Sequence, residues 1–198
     1  MIELCPSVRY FASMGTPLAE PSSVGSAGRV ERRVATVEEA KAVAHPLRLR
    51  ILRLCGQDEL TNRQLADRLG RDPGTVLYHV RQLVDAGFLE TTQIRSGVRG
   101  ALEKPYRSTG LSWRLALDGT EADGSLAPIE AFSDELREAG PGAVAKMSRF
   151  ALHLSPEDAE ALSARIVAIL DEYVATESQR AERPVHGGIF VLHRLASE

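Results

Sequence analysis

The residues best suited to work together are Gly74, Thr75, Tyr78, His79, Arg81 and Gln82. Spacings of three and four put them on one face of a helix. That face is short-chained at its start, then hydrogen-bonding and cationic. Its chemistry is non-covalent: donors and acceptors for base edges, and positive charge for phosphates. Val76, Val80, Leu83 and Val84 recur on the opposite face, which reads as the buried side.

Two further ends of this arrangement are marked. Asp72 is a preferred N-cap, and Pro73 fits the first helical position, where its missing N–H costs nothing. Upstream, Thr61 and Gln64 form a capping box that opens a helix with Leu65, Ala66 and Leu69 inward and a stop at Gly70. Thr61 to Gly87 is therefore predicted to be a helix-turn-helix. Asn62 and Arg63 sit at the first helix's N-terminus, where backbone N–H groups favour phosphate.

Other chemistries find little support. There is no G-x-S-x-G, no glycine-rich phosphate loop, and no cysteine with a partner histidine in pattern. Glu157, Asp158 and Glu160 form a first-turn acidic cluster that complements a helix dipole. His45 reads as a capping or packing histidine. His153, His186 and His193 lack a carboxylate or cysteine at ligand spacing. No enzyme, cofactor or metal site is expected.

The helix pair cannot bury its apolar side alone. Thr36 with Glu39 opens another capping box and a short helix to Ala44, and Pro46 leads into a helix over Leu47–Cys55 that Gly56 should stop. Arg48, Arg50 and Arg53 are expected on its outer side. After Gly87, Phe88–Leu89 with Ile94 reads as one strand and Leu102–Ser108 as its return. This hairpin, residues 88–109, is a wing whose Arg95, Arg99 and Lys104 suit a phosphate backbone or minor groove. Residues 1–33 lack lasting periodicity and read as a disordered arm, with Arg29, Arg32 and Arg33 as further candidates for phosphate.

The run AHPLRLRILRLC, then LTNRQLADRLGRDPGTVLYHVRQLVDAGFLE, then a wing ending in KPYRST, resembles the bacterial ArsR-type winged helix-turn-helix regulators. The resemblance spans about residues 36–110. It implies a homodimer on an operator with dyad symmetry, most often as a repressor. Metal-sensing members carry a Cys-x-Cys-type ligand set on the helix before the recognition helix. Here that helix, TNRQLADRLG, has neither cysteine nor histidine. The chain looks more like larger relatives with an added C-terminal domain.

Residues 111–198 read as that addition. Leu111–Leu117, Phe150–Leu154 and Ile189–His193 alternate as strands, around helices near 126–139 and 156–177. The expected class is α+β: a winged helix-turn-helix domain over 34–110, then a small α/β domain for dimerisation or effector binding. Charge is split accordingly, with a net of +4 over residues 30–110 and −7 over 111–198, against −3 for all 198 residues. No signal peptide or membrane span is legible, and two distant cysteines give no disulfide framework, so a cytoplasmic setting is expected.

The expected function is a sequence-specific DNA-binding transcriptional regulator, with double-stranded DNA as partner and the helix at 72–86 in the major groove. Two alternatives stay open: a winged-helix module for protein interaction, and a sensor whose C-terminal domain binds a small-molecule effector.

Overall fold

A computed structural model describes residues 30–96, 102–117, 120 and 125–195. Helix α1 (Val37–Val43) starts at Thr36, where the capping box with Glu39 is formed in both directions. Helix α2 (Pro46–Gln57) has His45 as N-cap, its ring accepting from the Leu47 N–H. The expected stop at Gly56 fails. The helix runs one residue further, because an exposed glycine weakens a helix without breaking it.

Strand β1 (Arg33–Val34) precedes these helices, and β2 (Leu60–Thr61) follows them. Helices α3 (Asn62–Leu69) and α4 (Pro73–Asp85) form the helix-turn-helix. Gly70 ends α3 in the left-handed region at φ 59°, a conformation that penalises any side chain. Asp72 then caps α4, accepting from the N–H groups of Gly74 and Thr75.

The wing is β3 (Leu89–Thr91), β4 (Arg95–Ser96), β5 (Leu102–Glu103) and β6 (Pro105–Ser108). β3 pairs antiparallel with β6, Glu90 opposite Arg107, and β4 pairs with β5. β2 joins the other edge of β6, giving a three-stranded order β2-β6-β3. Ile51, Cys55, Leu65, Val76, Val80, Leu83 and Phe88 are buried at the centre of the resulting core. This is a winged-helix fold of class α+β.

The C-terminal half departs from its expected strands. Leu111–Arg114 is a 3-10 turn, and only β7 (Leu115–Ala116) is extended and paired. It lies parallel to β1, Arg33 opposite Leu115. Helix α5 (Ala127–Ala139) packs on α2, and α6 (Pro156–Ala175) is the long helix. The expected strands at Phe150–Leu154 and Ile189–His193 find no ladder partner among the described residues. Alternating apolar residues make a chain competent for pairing, but pairing needs a neighbour at ladder distance. No described helix is long and apolar enough to cross a membrane.

Three parts of the chain meet at one carboxylate. Asp171 on α6 is 1% exposed. It accepts from both guanidinium nitrogens of Arg32, at 2.7 and 3.1 Å, from Trp113 Nε1 at 2.9 Å and from the Val30 N–H at 3.3 Å. Arg32 also lies over the Trp113 ring, 4.9 Å from its centroid. Arg32 and Arg33 were candidates for phosphate contact. Instead Arg32 is committed to Asp171, and Arg33 pairs with Glu39 at 2.5 Å. The Arg33 guanidinium holds the Glu39 carboxyl down to about 2, against the opposing effect of burial.

The Arg32 guanidinium likewise holds Asp171 below its ordinary 3.8, with help from the Val30 and Trp113 N–H groups. Its stabilising contribution is complete above that ordinary value and drains away as pH falls through the depressed one. Asp171→Asn should destabilise the chain by about 3 kcal/mol at neutral pH, because it removes the buried carboxylate that the partly buried Arg32 guanidinium pairs with and unsettles its other donors. Thermal denaturation should show the midpoint falling by roughly 6–12 °C. An unchanged midpoint would mean that α6 is not anchored here.

Candidate nucleic-acid interface

Helix α4 presents Gly74, Thr75, Tyr78, Arg81 and Gln82 to solvent, as its periodicity predicts. Tyr78 is 59% exposed, a high value for an aromatic with no structural duty. Arg63 on α3 and Arg71 in the turn are exposed beside it, and Lys104 on the wing strand side is exposed with its ammonium 5.9 Å from the Tyr106 ring. Sequence reasoning passed over Arg71. Its signal was position: a cation immediately before the N-cap of a helix whose far side is buried.

Cations here divide into two groups. Behind α4 and on the wing strands, Arg50 pairs with Glu138, Arg53 with Glu135, Arg68 with Asp58 and Arg107 with Glu90, and Arg48 donates to the Ala42 and Lys41 carbonyls. Arg63, Arg71, Arg81 and Lys104 have no ion-pair partner among the described residues. Each leaves its full charge available to an incoming anion. Arg50 was expected on the outer side of α2. It is buried instead, held by Glu138 and, at 3.9 Å, by Asp134 of α5. A helix docked over α2 turned that polar side into an interface.

Two expected contact residues turn inward. His79 is buried, with its ring centroid 4.4 Å from that of His45 and Tyr78 edge-on at 5.2 Å. At spacing 76, 79, 80, 83 it belongs to the buried stripe of α4, whose width exceeds what the aliphatic residues alone marked. Asn62 is half-buried and donates from Nδ2 to the Pro73 carbonyl at 2.9 Å, which ties the start of α3 to the start of α4. Its Oδ1 is buried and has no hydrogen-bond partner among the described residues. Asn62 thus fixes the helix-turn-helix angle. The Arg95 side chain and all of Arg99 lie outside the described residues.

Among the described residues, no three His, Cys, Asp or Glu side chains converge on a metal position. Cys55 is buried in the core, and burial pushes its thiol up to about 12, so it stays protonated and unreactive at neutral pH.

A family model described as a helix-turn-helix domain matches residues 43–92, about a quarter of the chain. This chain carries a helix-turn-helix domain. No curated protein matches it. Solved structures that resemble it include a mutant of MepR from a multidrug-resistant S. aureus clinical isolate, 18% identical over 70% of this chain and 79% of that one, at a TM-score of 0.28. Another is a mutant S. aureus MepR bound to an oligodeoxyribonucleotide, 21% identical over 69% and 78%, at 0.26. Overlap at such scores says nothing specific about this molecule.

The His45–His79 contact makes the base of α4 sensitive to acid. Burial lowers both imidazoles from the ordinary 6.5, and Arg48 nearby adds to the effect, while Glu130 of α5 pulls His45 the other way. Below that value the unfolded chain binds protons first, so folding stability falls with pH. The thermal midpoint should therefore drop between neutral pH and about pH 5. In the double variant His45→Asn, His79→Gln, which keeps an N-cap at 45, the drop should shrink. An equal drop would place the titration elsewhere.

Proposed function

We propose that this chain is a sequence-specific DNA-binding transcriptional regulator of the ArsR type, acting as a homodimer and as a repressor. The observation that carries the reading is the segregation of charge around α4. Four unpaired cations surround a helix face of small and hydrogen-bonding side chains, while the other described arginines of this domain are engaged. A protein–protein module has no need to keep cations unpaired around an exposed tyrosine and glutamine. A phosphate backbone does require it.

In this reading α4 enters the major groove with Thr75, Tyr78, Arg81 and Gln82 toward the bases. Arg63, Arg71 and Lys104 meet phosphates and set the register. Asn62 and His79, drawn into the protein, hold α4 at its angle. The resemblance stated above supports the dimer and the repressor role. Two copies would place two α4 helices on half-sites about one helical turn apart.

Binding to the chain's own promoter region should exceed binding to random duplex and weaken steeply with salt. Arg81→Ala should cost about 1–3 kcal/mol on the preferred site and relax preference at one position. Arg71→Ala should weaken all duplexes alike and reduce the salt slope by about 1. Titrations of labelled duplex across a salt series would decide the matter. No preference for any duplex, with a flat slope, would end this reading.

A further inference from the structure

Of the chain's five histidines, His153, His186 and His193 are exposed in the C-terminal half, while His45 and His79 are drawn into the protein. The rings of that pair meet where α4 rests on the start of α2, with centroids 4.4 Å apart. Four elements supply their surroundings. Arg48 stands three residues along α2, its guanidinium held by the Ala42 and Lys41 carbonyls at the end of α1. Tyr78 of α4 lies edge-on to His79, and Glu130 of α5 is an acid within electrostatic reach of His45.

Each ring resists a second proton for a geometric reason. His45 Nδ1 accepts from the Leu47 N–H at 3.2 Å, so that nitrogen is bare and the ring's proton sits on Nε2. The lone pair left for another proton is the one that caps α2. Protonation therefore breaks the cap and turns an N–H toward the N–H groups of a helix N-terminus. His79 is 8% exposed, and its Nδ1 is buried with no hydrogen-bond partner among the described residues. In the neutral ring that nitrogen can stay bare, whereas an imidazolium must put an N–H there with no acceptor to meet it. Two charged rings would also repel each other and Arg48. Burial first, and then these cationic neighbours, lower both imidazoles, against the pull of Glu130 and of its own carbonyl on His45.

We propose that the His45–His79 contact is a proton-operated latch on the recognition helix: neutral, it seats α4 for sequence-specific binding, and protonated, it releases the base of α4 so that the preference for one site is lost. The inference rests on the regulator reading above and adds its control by a modest fall in pH. The seated helix binds fewer protons than the released one. DNA that selects the seated helix must therefore expel protons as it binds in mild acid. The loss begins below the ordinary histidine value and is complete below the lowered ones. It runs against the general effect of acid, which adds positive charge and tightens binding to every duplex. The signature of the latch is thus a falling preference, not a falling affinity for DNA as such.

Titrating the full chain with its promoter duplex and with random duplex at about pH 7.5 and about pH 5.5 reads the ratio of the two affinities, which should fall on the order of tenfold in acid. His45→Asn, which keeps an N-cap and removes one ring, should hold the ratio nearly constant. Hydrogen exchange reads the helix without DNA. Corrected for the intrinsic effect of pH, protection of the α4 amides from His79 to Leu83 should fall in acid on the order of tenfold in the wild type and stay level in His45→Asn, with helical circular dichroism retained. A ratio that holds in acid, or an equal fall in a folded His45→Asn, would overturn the latch. If His45→Asn does not fold, exchange in the wild type decides, and unchanged protection overturns the proposal. A chain whose α4 loosens in acid but which prefers no duplex at either pH would keep the proton response and lose only the regulator reading.

Discussion

The buried carboxylate of Asp171 is the constraint on which the arrangement depends. A charge withdrawn from water must be met by donors in fixed positions, and here they come from two distant parts of the chain: the Val30 N–H with the Arg32 guanidinium, and the Trp113 indole. Satisfying one ion therefore fixes the chain before the first helix, the exit from the wing and the long C-terminal helix. The parallel β1–β7 pair lies directly beside this point and is short enough to need it. Leu162, Ile166 and Val167 of α6 are only half-buried, so this ion is the most specific described contact that places the helix.

A second set of ion pairs works at the back of the helix-turn-helix. Arg50 and Arg53 of α2 reach Asp134, Glu135 and Glu138 of α5. Positive charge on α2 is consumed there, which leaves net positive potential concentrated around α4. The split between a basic middle and an acidic end is thus a mechanical fact as well as an electrostatic one. The acidic helix is what holds the basic one.

The winged helix was legible because local rules agree with one another over residues 36–110. Capping boxes at Thr36 and Thr61, Gly70 at a positive φ, and Asp72 followed by Pro73 all form as their chemistry dictates. What was not legible depends on partners remote in sequence. Nothing near Arg32 announces Asp171, 139 residues away. Arg50 looks solvated until α5 covers it. His79 looks exposed because a ring with two polar atoms reads as surface, while its fit beside His45 is set by the angle between two helices. The strands at 150–154 and 189–193 fail for the opposite reason: their alternation is correct, but alternation specifies a face and not a neighbour.

The inward turn of His79 sets how much a recognition helix of this kind can discriminate. Thr75, Tyr78 and the Arg81–Gln82 pair remain outward, one position per turn, over about 10 Å of helix, or about three base-pair steps. Three steps inspected once recur by chance many times along any long duplex. Such a helix sorts targets poorly when it acts singly, and the missing information has to come from reading two such words at a fixed separation. On the reading proposed above, whatever fixes the distance between two α4 helices would be as much a part of the address as the residues that touch it.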